Sequence, residues 1–185
     1  MSLSLQEWRE KLKTGWNSWK EDPRGKLTSL GAGSLYLAVA GSTLYPVAAA
    51  IAHGDPAAGA LLVSIAGGIG GKLIAELLQK GTDEKTLSQD LAQAADRRPQ
   101  IIPALDAVLE KLDAIPQITS GMNDDDLAWF NETFHSERAR LVSNTGSGAI
   151  AINGAVAAGK GGVAVGGSVH GNINIGVANS KDPED

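Results

Sequence analysis

Between Lys26 and Lys72 the only formal charge is Asp55. A chain can place so long an apolar stretch in water only by burying it, so this segment decides what the rest must fold around. It divides at the turn signal Gly54-Asp55-Pro56 into Leu27–His53 and Pro56–Gly71. About 20 residues rising 1.5 Å each cross a hydrocarbon layer, a length the first half has, with Pro46 predicting a kink. The second half reaches it by extending past Lys72 through Ile74, Leu77 and Leu78. The expectation is an apolar, glycine-rich helical hairpin over 27–78. It is either buried at the centre of a soluble bundle or able to enter a bilayer, and the two are compatible as successive states.

Small residues recur along it: Ser34, Ala38 and Ser42 at steps of four, Gly67 and Gly71 likewise, and Gly33 and Gly41 eight apart. Such rows let helix backbones approach closely, the packing mode favoured in lipid. Glycine costs about 1 kcal/mol against alanine in a water-exposed helix, so propensity does not account for its use here. Gly33, Gly41, Gly67 and Gly71 are the packing candidates.

Upstream, Leu5, Trp8, Leu12, Trp16 and Trp19 recur at helical steps behind a Ser4/Glu7 capping box, and Pro23 with Gly25 is read as closing the element. The stripe docks on its own domain or lies at a membrane interface with Trp8, Trp16 and Trp19 at headgroup depth. Downstream, Thr82 is read as the cap of a helix through Leu87 and Leu91 that stops before Pro99. Gln100–Leu112 is a further helix, with Ile101, Ile102, Leu105, Val108, Leu109 and Leu112 inward and Pro116 ending it. Asn123 or Asp124 caps Asp125–Val142, whose apolar side is Leu127, Phe130, Phe134 and Leu141. Residues 1–142 are therefore expected to be all-α, a small helical bundle around the hairpin.

The texture changes after a linker at 143–147. Residues 148–179 are Gly/Asn-rich with alternating pairs Ile150/Ile152, Val163/Val165 and Ile173/Ile175, interspersed with Val156 and Val169 and followed by Val177, before a polar tail, 180–185. Period-two alternation is a strand signal, and GAIAIN, GAVAAGK and GGVAVGG form a loose repeat. Such a tract builds no core by itself. It is expected to be disordered or β-forming, either as a short solenoid or as cross-β stacks with copies of itself, in which asparagines ladder.

Chemistry is sparse. Zero cysteines exclude disulfides, thiolate zinc and a Cys nucleophile. Gly154–Lys160 imitates a phosphate loop, but Gly161 stands where Ser or Thr would hold magnesium and no helix follows. The Gly67–Gly71 run sits inside an apolar helical pattern without a preceding strand. His135 with Glu132 and Glu137 reads as a solvated helix face, Asp124–Asp126 as a capping turn, and His53 and His170 share no site. The chain is expected to be no enzyme and to need no cofactor or metal. A net charge of −5 argues against nucleic acid. Met1–Lys20 lacks a secretory pattern, so the expected location is cytoplasmic.

The segment Ile173-Asn174-Ile175-Gly176-Val177-Ala178-Asn179 is similar to the core of the homotypic amyloid motif of animal necroptosis proteins, with Asn174 where Gln is usual. The wider tract, Gly148–Asn179, resembles bacterial amyloid signalling motifs that follow helical Bell domains, the counterparts of fungal HeLo killers. The resemblance implies an amyloid core at Ile150, Ile152, Val156, Val163, Val165, Val169, Asn172, Ile173, Asn174, Ile175, Gly176 and Asn179. It further implies self-association and a nucleotide-binding receptor carrying a matching motif. Membrane lipid at the inner face of the cell membrane would be the target after activation, with loss of membrane integrity in a defence response. The competing expectation is a non-lethal oligomerising adaptor, or a regulatory module with a solenoid-like tail.

Overall fold

A computed structural model of the chain describes residues 5–80, 83–143, 149–152 and 155–158. The chain divides into two compact units, Met1–Thr145 and Gly146–Asp185. The first is all-α, with nine helices among the described residues: α1 Leu5–Glu21, α2 Pro23–Leu30, α3 Leu35–Ala52, α4 Pro56–Ile65, α5 Gly68–Leu78, α6 Glu84–Arg97, α7 Ile101–Lys111, α8 Ala114–Thr119 and α9 Asp124–Ser143. Helix α3 is central. It packs most extensively on α6, with α9, α1, α4 and α5 around it.

Local chemistry explains most boundaries, and several differ from the sequence expectation. Pro23 begins a helix: it sits at the first position of α2, where its missing N–H is no loss, and the Asp22 carboxylate accepts from Gly25 N–H at 2.8 Å. Leu27 thus belongs to α2. A left-handed turn at Gly31 (φ 60°) separates it from α3. Asp55 accepts from Ala57 N–H at 2.9 Å and starts α4, again with proline first.

The expected second long helix is two helices. The chain breaks at Ala66-Gly67 and re-enters helix at Gly68, whose φ of +78° suits glycine. The resulting pieces have 10 and 11 residues, about 15 and 17 Å long, against a hydrocarbon layer of about 30 Å. Pro116 lies within α8, and the turn ending α7 is made by Asp113 in the left-handed region (φ 58°). Asn123 caps α9, its Oδ1 accepting from Asp126 N–H at 2.9 Å.

The cap of α6 is Asp83, whose carboxylate accepts from Thr86 N–H (2.9 Å) and Thr86 Oγ1 (2.8 Å). These bonds favour the ionised form and hold the Asp83 pKa below its usual value. A lowered folded-state pKa stabilises the fold above the ordinary carboxylate range, and that contribution disappears as pH falls through the folded value. Asp83→Asn is expected to flatten this acidic limb of stability against pH, measured by denaturant titration from pH 6 to pH 3. An unchanged limb would exclude the cap as its source.

The core joins the helices through aromatic and small residues. Trp8, Trp16, Trp19, Tyr36 and Phe130 are among its largest fully buried side chains. Trp19 meets Phe130 edge-on at 6.5 Å, Phe130 stacks on Phe134 at 5.7 Å, and Phe134 reaches Tyr36 at 5.3 Å, linking α1, α9 and α3. In the second unit, strands β1 Ala149–Ile152 and β2 Ala155–Ala158 pair antiparallel, with Ile150 opposite Ala157 and Ala151 opposite Val156.

Candidate functional site: the apolar helix and its anchors

Helix α3 is apolar on every side, and such a helix belongs in a protein core or in a membrane. Among the described residues it alone has the length and composition to cross a bilayer: 18 residues at mean hydropathy 1.6, about 27 Å long. Here 67% of it is buried inside the bundle.

Three polar attachments fix it. Trp16 donates its indole N–H to Thr43 Oγ1 at 3.2 Å in the buried α1–α3 contact. Tyr36 donates its hydroxyl to Asp106 Oδ1 of α7 at 2.9 Å. Asp106 in turn receives both Nε (2.8 Å) and Nη2 (2.9 Å) of Arg138 from α9, the planar fork geometry that only arginine supplies. This bonding raises the Arg138 pKa from an already high value, so the guanidinium stays charged throughout the physiological range.

The third attachment is a helix cap supplied from a distant part of the sequence. Glu137 Oε2 of α9 accepts from Ser34 Oγ (2.9 Å) and from Tyr36 N–H (3.0 Å). A carboxylate at the positive end of a helix dipole, satisfying a backbone donor that has no partner within the helix, is favourable on both counts. Hydrogen bonds to charged groups contribute about 1.5–3 kcal/mol each. The three attachments, two of them to carboxylates, therefore stand beside apolar burial as a substantial part of what holds α3.

The expected packing glycines occupy different environments. Gly41 lies where α3 meets α6: a Cβ placed there would overlap Ser88 Oγ and come within 2.9 Å of Ser88 Cα. Gly71 lies under the Ala66 carbonyl, with which a Cβ would collide. Gly67 is the open N-terminal cap of α5. Gly33 (φ 69°) is in the α2–α3 turn with open space around it, so it belongs to no helix contact. Gly70, passed over in the sequence, makes the α5–α7 approach, where a Cβ would sit 2.7 Å from the Gln100 carbonyl.

Trp8, Trp16 and Trp19 all face inward at 1% exposure or less. The Trp8 and Trp19 indole nitrogens and Ser42 Oγ are buried without a hydrogen-bond partner. Of the tract residues, Ile150 and Ile152 lie on β1 and Val156 on β2. Val163, Val165, Val169, Asn172, Ile173, Asn174, Ile175, Gly176 and Asn179 lie outside the described residues, as does Ser4 of the capping box.

Asp106, Glu137 and Arg138 were not singled out in the sequence, where Glu137 reads as part of a solvated cluster with His135. A signal for them exists. Glu137 and Arg138 follow Phe134 at three and four residues, where the inward stripe of α9 continues, and Asp106 follows Ile102 by four on α7. His135 itself is exposed. No group of three or more metal-ligating side chains comes together among the described residues. An open groove of 270 Å³ between α5 and α6 sets Lys80, Arg97 and Arg98 against Glu76 and Asp90 over Leu73 and Leu77, with charges of both signs. Comparison with protein families, with characterised proteins and with solved structures finds no match to this chain.

Proposed function

We propose that the chain is a membrane-permeabilising effector of a bacterial defence pathway, armed when its C-terminal tract assembles. The observation that carries this reading is α3, a span-length apolar helix held at the centre of a soluble-looking bundle. Two further features support it. Trp8 and Trp19 keep buried indole N–H groups without acceptors, a conflict that a wet headgroup interface relieves. Val63 and Ile69, 70% and 73% exposed, stand on either side of the α4–α5 break as large apolar side chains on the surface.

In this mechanism a nucleotide-binding receptor with a matching motif presents a cross-β template to residues 148–179. Conversion of many tails gathers many helical units, and the raised local concentration makes weak contacts between helices productive. The protein is cytoplasmic at rest and acts at the inner face of the membrane, where α3 and the Trp stripe leave the bundle for lipid. No cofactor, metal or nucleic acid takes part.

The test is release of an encapsulated dye from anionic phospholipid vesicles by the full chain, with and without preformed aggregates as seeds. Seeded protein is expected to release the dye. Ile173→Pro with Ile175→Pro is expected to abolish both assembly and release while the helical signal persists, since proline removes ladder donors. Assembled protein that leaves vesicles sealed would overturn the reading. That result would favour a non-lethal oligomerising adaptor, the alternative supported by the burial and three polar attachments of α3.

A further inference from the structure

We propose that Glu137 and Arg138, adjacent on α9, form a latch that retains α3 in the bundle, so that displacing α9 frees α3. The latch deepens the membrane reading above, on which its biological consequence rests, but its structural effect can be measured without any membrane.

The two side chains act on the same end of α3. Glu137 Oε2 receives the Tyr36 amide and the Ser34 hydroxyl, and Ser34 Oγ in turn accepts from Leu37 N–H at 3.4 Å. Arg138 holds Asp106, which holds the Tyr36 hydroxyl. Moving α9 outward removes both at once. The Tyr36 amide loses its acceptor and Asp106 loses its counter-charge, each in a part-buried setting where replacement by water is restricted. The Tyr36 amide in the first turn of α3 thus keeps its carboxylate acceptor only while α9 is seated.

Two further observations make α9 the element that moves. Its apolar hold is thin, for only Phe130, Phe134 and Val142 of its 20 residues are buried. It also ends at Ser143, the first residue of the expected linker, and is the last helix before the tract, so the chain transmits tension from an assembled tail to α9 before any other helix. Neighbouring Phe134 contacts Tyr36 directly, which couples the aromatic packing to the same release.

The experiment is hydrogen exchange on the resting full chain without lipid, read helix by helix. Glu137→Ala and Arg138→Gln are each expected to accelerate exchange of the amides of 35–52 by about tenfold or more, with α6 and α7 little changed. Arg138→Lys, which keeps the charge and loses the fork, is expected to fall between. Glu137→Gln serves where the alanine variant does not fold, with a smaller acceleration of the same helix. The control is Lys26→Gln, which breaks the Lys26–Glu84 pair, matched in exposure (17%/25% against 21%/24%) but located between α2 and α6. It is expected to leave α3 at its wild-type rate.

The proposal is overturned if α3 exchanges no faster in the latch variants than in the control, or if all helices accelerate together. Faster α3 exchange with vesicles still sealed after seeding would support the latch and remove the membrane reading. Dye release by seeded protein with α3 exchange unaltered in both variants would do the reverse.

Discussion

Replacing Trp19 with alanine is expected to destabilise the helical unit by about 3–5 kcal/mol, the usual range for truncating a buried aromatic. Trp19 is 0% exposed and lies edge-on to Phe130, so the substitution removes transfer energy and leaves a cavity between α1 and α9 that rigid helices do not fill. A domain of this size has a total stability of about 5–15 kcal/mol, so much of the margin disappears. In thermal unfolding followed by circular dichroism, a drop in Tm of about 6–20 °C corresponds to it. A Tm within 2 °C of wild type, about the effect of 1 kcal/mol or less, would mean that α1 is not docked as described. The missing acceptor for the Trp19 indole does not reverse the sign, since the loss of a polar conflict of about 1–3 kcal/mol is outweighed by the lost packing.

The inward position of the Trp stripe was open in the sequence. Its three- and four-residue spacing fixes that the residues share one face, and nothing in that spacing says whether protein or lipid covers it. The same logic separates what was legible from what was not. In α7 and its C-cap, Ile101, Ile102, Leu105, Val108, Leu109 and Leu112 were all expected inward and are all buried, because polar residues between them give the pattern a period. In 27–78 nearly everything is apolar, so no period exists to mark where helices begin and end.

Two ambiguities of residue type account for the helices that were missed. Pro23 and Pro116 read as terminators, and α1 and α7 do end before them, yet proline in the first turn of a helix loses no hydrogen bond, and each also sits in the first turn of a further short helix, α2 and α8. Glycines read as helix-packing residues, yet Gly33 has positive φ and makes a turn, and Gly67 is an open helix cap. The latch pair was hidden for another reason. A charged residue on a helix is usually solvated, and only the partner's position, roughly a hundred residues away in sequence, shows that Glu137 caps α3. No local signal carries that information, although the placement of two charges on the inward stripe of α9 hints at it.

The glycines give the sharpest contrast between a sequence pattern and its physical meaning. Gly41→Leu is expected to destabilise the unit by about 3 kcal/mol, at the upper end for overpacking, because the nearest obstacles include the Ser88 backbone as well as its side chain. Ser88 is itself 0% exposed and its hydroxyl is committed to the Glu84 carbonyl at 2.8 Å, so relief requires α3 and α6 to separate. Gly67→Leu, at a similar place in the apparent small-residue pattern, is expected to change stability by less than about 0.5 kcal/mol, since its Cβ enters open space at an ordinary backbone angle (φ −67°). Urea unfolding of the two variants side by side measures the difference. The consequence for action at a membrane runs with it. A loosened α3–α6 seam weakens the resting seat of α3, so Gly41→Leu is expected to release dye from vesicles without seeds, whereas Gly67→Leu behaves as wild type when unseeded. Equal stability of the two variants would show that the α3–α6 contact is looser than the Gly41–Ser88 approach requires. A destabilised Gly41→Leu that still needs seeds would show that the strength of this seam does not limit the exit of α3, leaving the α9 attachments to set it.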